Sequence, residues 1–440
     1  MPVEPCDPCV EESEEAWLEG DTRFVPGTAR SALSHPVFRT IFIGGFLSNI
    51  GSWMQQVVLG AFAYHLTRSP VFVGALIFAQ MGPVLVLGPV AGVVADLFDR
   101  RRLLLVITAV QLASAGVLAW VVRVDDPSQF AIVVCVVAGG VANAVFMPAY
   151  SALLPYLVGR ADLPGAISLQ SAQMNLSRVI GPAIGGLAFS QFGPSPVFWG
   201  NAASFLFMAA ALLRVRLPEV PAPDDSAEAG WRRLTSGFRI ARRDPVVGRA
   251  LVTIATFSTF CLLFVGQMAV FAAEDLGIAE DSTAYGVLYA CFGLGAAVGS
   301  IAIGTVFAKT SKAMLVRRGF VAYAVTLAAF AMLRGPALAY PVIVVLGAVY
   351  FGSITALNTA MQARLANHER GRIMALWMMG FGGMVSVANF AFGPLIREVG
   401  LPPLMLGGAV VALALARYAD LRGTGDDATS AATIAVAVSD

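Results

Sequence analysis

Twelve apolar runs, each long enough to cross a bilayer at about 20 residues per span, follow one another between Pro36 and Ala419. They occupy 37–64, 71–95, 102–122, 130–157, 163–189, 193–213, 246–272, 283–307, 314–333, 340–364, 371–396 and 402–419, and are called spans 1 to 12. Helices apolar on every side cannot all be hidden in one soluble core, so the chain reads as an all-α integral membrane protein. Composition agrees: 57% of the 440 residues are hydrophobic and 13% charged, where a soluble chain carries about 25% charged residues. A net charge of +1 offers no basic field to a nucleic acid. Three histidines and five cysteines are too few for a disulfide framework or several metal sites, so neither a metal nor a cofactor is expected.

Basic residues orient the spans. With the N-terminus in the cytoplasm, 24 of the 29 Lys and Arg residues fall in the tails and the even-to-odd loops, against four (Arg68, Arg123, Arg334, Arg397) on the other side. The expected location is therefore the plasma (inner) membrane, multi-pass, with both termini cytoplasmic. Residues 1–35 hold eight acids and no apolar run, and read as a disordered cytoplasmic tail without a signal peptide. Its Cys6-x-x-Cys9 lacks the further ligands that a structural zinc needs. Residues 421–440 form a second cytoplasmic tail.

The midpoint divides the chain into six-span bundles at 36–214 and 246–420. Between them, 215–245 begins Pro-rich and acidic and continues as Trp231-Arg232-Arg233 and Phe238-Arg239-Ile240-Ala241-Arg242-Arg243, a short basic amphipathic helix suited to a membrane surface. Two six-helix halves joined by a long basic linker are the layout of parallel-repeat transporters, whose substrate path runs between the halves.

Local motifs carry a family resemblance. After span 2 come Gly92, Asp96, Asp99, Arg100, Arg101 and Arg102. Asp96 closes a helix where the dipole disfavours an anion, so it needs cationic partners. A charge cluster made in one conformation and broken in another serves as a gate latch. The stretch resembles the signature loop of the major facilitator superfamily, with Leu97 and Asp99 replacing a basic residue and a glycine. Its Phe98-Asp99-Arg100-Arg101 continuation resembles the enterobactin-exporter and transmembrane secretion effector branch. In span 5, Gly181-Pro182-Ala183-Ile184-Gly185-Gly186 is similar to the antiporter motif of drug-exporting members. Gly181, Pro182, Gly185 and Gly186 are its matching positions, and a glycine packing seam is the alternative reading.

That resemblance implies twelve helices in two pseudo-symmetric halves and rocker-switch alternating access. The expected activity is secondary active export of a small amphipathic molecule such as a siderophore, drug or secondary metabolite, with proton antiport left open. A lipid or lysophospholipid flippase, or a membrane sensor without transport, are the alternatives. No enzymatic activity is expected, and the partners are a small-molecule substrate and the bilayer around a monomer. No acid lies at mid-span, and no arginine lies in span 4. The gating and coupling candidates are therefore the signature-loop residues together with Asp162. The path candidates are Asn49, Trp53 and Gln56 on span 1, Gln80 on span 2 and Asn143 on span 4. Asn175 and Arg178 on span 5, Gln267 on span 7, and Trp377 and Asn389 on span 11 complete them. Arg178 is the single charge in the middle of a span, some 22 Å from its start at about 1.5 Å per residue. It reads equally as an anion contact in the path or as a cation satisfied by neighbouring carbonyls.

The charge split makes a direct prediction. Cysteines introduced at 215–245 and at 123–129 should label from opposite faces of a sealed membrane; labelling from one face contradicts twelve spans.

Overall fold

The computed structural model describes residues 24–88, 98–215 and 231–419, and contains no strand among them. Among the described residues, each predicted span is mainly helix. Six of these helices (Pro36–Thr67, Pro70–Met81, Pro194–Arg214, Pro245–Phe260, Pro336–Gln362 and Pro402–Tyr418) open on a proline. At that position its fixed φ is already helical and its missing N–H costs nothing. Among the described residues, eight helices are long and apolar enough to cross a membrane by length and composition. The acidic tail with its Cys6-x-x-Cys9, the signature-loop residues Gly92 and Asp96, the 216–230 part of the linker and the C-terminal tail lie outside the described residues.

Three places depart from a plain series of rods. Spans 4 and 5 share one helical run, Gln129–Phe192, interrupted by Gly159 at φ 71°, ψ 172°. Sixty-four residues of helix would reach about 96 Å, three times the hydrocarbon thickness. The turn at Gly159, in backbone space that favours glycine, divides it into two crossings. Span 7 is broken into Pro245–Phe260, Leu263–Gly266 and Met268–Glu274. The Cys261 carbonyl at the break accepts a 2.6 Å hydrogen bond from the Tyr323 hydroxyl, the kind of partner that irregular backbone needs inside a membrane. Span 11 runs as Asn367–Met378 and Met384–Val399 around a π-helical turn, Met379–Gly383, placed at the glycine-rich Gly380-Phe381-Gly382-Gly383.

Aromatic stacking builds much of the second half. The Phe257 ring lies 5.2 Å from Phe320, 4.8 Å from Tyr323 and 5.9 Å from Tyr350, joining spans 7, 9 and 10. The basic amphipathic helix, Trp231–Arg243, packs on the start of span 11: a Cβ at Gly237 would lie 3.1 Å from Leu376 Cδ1. Asp244 then caps the first helix of span 7 by accepting from the Val246 N–H at 2.9 Å.

A short helix before span 1, Ala29–Ser34, is pinned to the turn between spans 4 and 5. His35 Nε2 lies 2.8 Å from Asp162 Oδ2, and the Gly27 N–H donates to Asp162 Oδ1 at 2.9 Å. Both side chains are buried, so Asp162 anchors the last residues of the 1–35 segment, which reads as disordered from the sequence but here forms the helix Ala29–Ser34. Burial alone would raise the Asp162 pKa. Hydrogen bonds from His35, Gly27 and Ser31 outweigh it and hold the carboxyl below its ordinary range. A depressed folded-state pKa means stabilisation that is complete above the ordinary value of about 3.9 and is lost as pH falls through the folded value. Asp162→Asn should cost on the order of 1–3 kcal/mol at pH 7. In thermal melts the gap from wild type should close as pH falls below about 4; a gap independent of pH would contradict the assignment.

Candidate transport path and gate

The two halves meet along two helix pairs in which backbone touches backbone. A Cβ on Gly186 of span 5 would sit 2.4 Å from Gly286 Cα on span 8, and one on Gly286 would sit 2.6 Å from Gly186 Cα. Real Cβ atoms do not approach so closely, so both positions need glycine. The second pair is span 2 with span 11. There a Cβ on Gly74 would lie 2.2 Å from the Asn389 carbonyl oxygen, and Phe78 stacks on Phe390 at 5.3 Å. The Gly-Pro-x-x-Gly-Gly motif thus serves two faces. Gly181 and Gly185 admit Trp53 and Met54 of span 1 within the same half, while Gly186 admits the other half.

Polar contacts stitch the halves at the end where span 1 finishes and span 8 begins. The Tyr64 hydroxyl donates to Glu274 Oε1 at 2.7 Å. Glu280 is 3% exposed although it lies in a loop. Its Oε1 lies 2.8 Å from Arg68 Nη1 and 3.0 Å from His65 Nδ1. His65 also lies 4.0 Å from Asp281. Ser190 Oγ and Thr283 Oγ1 are 2.7 Å apart. Sequence reasoning placed Glu280 among ordinary loop acids. The available signal was that His65 and Arg68, two of the few polar groups closing span 1, stand on the sparsely cationic side of the membrane.

Arg178 occupies the middle of the same interface. Its guanidinium carbon is 5.0 Å from the Trp53 ring of span 1 and 4.1 Å from the Phe351 ring of span 10. The second half reaches it again through Gly293, where a Cβ would lie 2.6 Å from the Arg178 carbonyl oxygen. Its Nη1 is 3.5 Å from Asn175 Oδ1, and its buried Nε has no hydrogen-bond partner among the described residues.

The other path candidates scatter. Asn49, half-buried, donates to Met174 Sδ at 3.6 Å, and Asn175 donates to the Ser171 carbonyl at 3.0 Å. Gln56 and Gln80 are half-buried, and Asn143 is exposed. Gln267 and Asn389 are fully buried where spans 2, 7 and 11 meet. Gln267 donates to the Pro70 carbonyl at 3.1 Å and Asn389 to Val385 at 2.9 Å. Trp377 is buried in the apolar core beside the π-helical turn. In the signature loop, Asp99 caps the helix Arg100–Val121 through the Arg102 N–H at 2.8 Å. Arg101 donates to the Leu212 and Leu213 carbonyls at the end of span 6, at 3.0 and 2.9 Å. Arg100 lies over the Tyr156 ring at 5.7 Å.

Paired six-helix halves, glycine contact between spans 5 and 8, and breakable polar stitching at one end describe a transporter of the major facilitator type. Solved structures with this fold include the nucleoside transporter NupG (TM-score 0.69, 14% identity, 87% of this chain and 98% of that one). A bacterial homologue of the human lysosomal transporter Spinster, in an inward-facing unoccupied conformation, gives a TM-score of 0.68 at 14% identity over 88% and 97%. Residues 27–435 match the family profile described as transmembrane secretion effector, and the chain belongs to that family. Among curated relatives, the enterobactin exporter of Salmonella typhimurium is 26% identical over 355 residues, covering 78% of this chain and 82% of the relative. The enterobactin exporter of Escherichia coli O1:K1 / APEC is 27% identical over 352 residues, covering 78% and 81%. The protein is thus a multi-pass membrane transporter of small molecules.

Glu280→Gln removes the buried charge that Arg68 and His65 surround. Because Arg68 and His65 are substantially exposed, the loss to the closed end should be on the order of 1 kcal/mol. A cysteine at Ser69 should then label several-fold faster. An unchanged rate would show that the ion pairs do not hold this end shut.

Proposed function

We propose that the chain exports a small amphipathic molecule of siderophore type by rocking its halves about the path between them. The orientation is the one drawn from the charge split, with both termini cytoplasmic. The observation that carries this reading is the seam at the end of spans 1 and 8. Glycine contacts, a Ser190–Thr283 hydrogen bond and a buried Glu280 close it through interactions that can form and break as units. In that orientation the closed end faces outward. Between the inner end and the middle of the bundle, Asn49, Asn175, Arg178 and Asn358 are partly exposed, which fits a conformation open to the cytoplasm. Proton antiport is compatible with this seam, since its titratable groups are those that must part when the outer end opens. The siderophore class rests on the curated relatives, both named as enterobactin exporters.

The Ser190 and Thr283 oxygens are close enough for a cysteine pair to replace them. In inside-out proteoliposomes, Ser190→Cys/Thr283→Cys should take up enterobactin when reduced, stop when oxidised, and recover with dithiothreitol. Repeating the flux with and without a pH gradient reads the coupling. Undiminished flux through the oxidised protein would overturn alternating access at this seam.

A further inference from the structure

We infer that Arg178 is the contact for a planar anionic group of the cargo, and that the site selects aromatic carboxylates over neutral molecules of the same shape. The inference deepens the proposed export function and rests on it. A guanidinium carries five N–H donors and keeps its charge in any protein environment. Among the described residues no carboxylate lies within ion-pair distance of Arg178, and its hydrogen bond to Asn175 Oδ1 is long, at 3.5 Å. The rings of Trp53 and Phe351 sit against the guanidinium carbon. They displace water from the cation and stabilise it through their π faces, but they offer no oxygen to its N–H edge. An unpaired charge inside a bundle is expensive. The outlay makes chemical sense if the missing anion arrives with the cargo.

The geometry also defines what the anion is attached to. Trp53 belongs to the first half and Phe351 to the second. Tyr289, one turn before Gly293 on the face of span 8 that meets Arg178, is buried, and the Phe292 ring links it to Tyr350. Across span 5, Met174 accepts from Asn49. A flat apolar body fits against rings and a thioether, and a carboxylate matches the paired N–H donors of an arginine in one plane. Because the rings come from opposite halves, a ligand held at Arg178 touches the interface that must rearrange during transport. Arg178 is partly exposed as a residue, while its Nε is buried and without a hydrogen-bond partner among the described residues.

The test uses the full chain in detergent with two probes, 2-naphthoate and its neutral isostere 2-naphthamide. Calorimetry should show 2-naphthoate binding at least about tenfold more tightly to wild type, which corresponds to about 1.4 kcal/mol. Arg178→Lys should keep part of that preference, and Arg178→Gln should bind both probes equally, with melting temperatures close to wild type. The inference is overturned if wild type shows no preference or if Arg178→Gln retains it. It is also overturned if both variants melt early and weaken both probes alike, the mark of a purely structural cation. Flux through the Ser190→Cys/Thr283→Cys protein separates the two proposals. A working disulfide switch without anion preference removes the anion site and leaves alternating access standing. Anion preference in a protein whose flux ignores the disulfide supports the site and removes the rocking mechanism.

Discussion

Inside hydrocarbon, an apolar side chain gains little by leaving lipid for another helix, so cohesion has to come from close packing of backbone on backbone. Glycine supplies it here. The Gly186–Gly286 contact brings spans 5 and 8 together across the two halves, and Gly74 lets span 2 meet the Asn389 carbonyl of span 11. Everything between the halves inherits its position from these approaches. The Trp53–Arg178–Phe351 stack exists only because Gly181 admits Trp53 and Gly293 admits the Arg178 backbone. A methyl group at any of these positions would move a helix before it touched a polar contact.

On that packed frame, polar groups are used sparingly and in different roles. Asp162 and His35 hold the segment before span 1, Asp99 and Arg101 finish helix ends, and Tyr64, His65, Arg68, Glu274 and Glu280 join the halves at one end. Under the alternating access proposed above, only the last group links parts that separate. Partly exposed Arg68 and His65 around a buried acid suit an end that closes and opens. Away from this seam the backbone breaks in span 7 and takes a π-helical turn in span 11. Irregular backbone in a membrane is tolerated where protein covers it, as the Tyr323 hydroxyl does at Cys261.

The glycine motif of span 5 illustrates how a sequence resemblance and a packing explanation become one statement. Gly181 and Gly185 recur four residues apart, the spacing that puts them on one face, and that face meets span 1. Gly186 follows directly and so points elsewhere, toward the second half. An antiporter-like motif and a glycine seam are here the same residues doing the same physical work.

Hydrophobic run length determined by itself that the chain crosses a membrane many times, because a bilayer of fixed thickness converts run length into span number. The clustering of arginines gave the orientation now proposed, and Gly-Pro-x-x-Gly-Gly marked a close-packed face, since both are local patterns with local causes. Arg178 stood out for the same reason, as one charge in an apolar run. Its surroundings did not, because Trp53, Asn175, Gly293 and Phe351 are drawn from four spans in both halves. Glu280 did not itself stand out in the sequence: a loop acid is ordinarily solvated, and its burial follows from Arg68 and His65, more than two hundred positions away, arriving at the same end of the bundle. Burial and pairing between distant residues are properties of how helices are arranged in three dimensions, and no local periodicity encodes them.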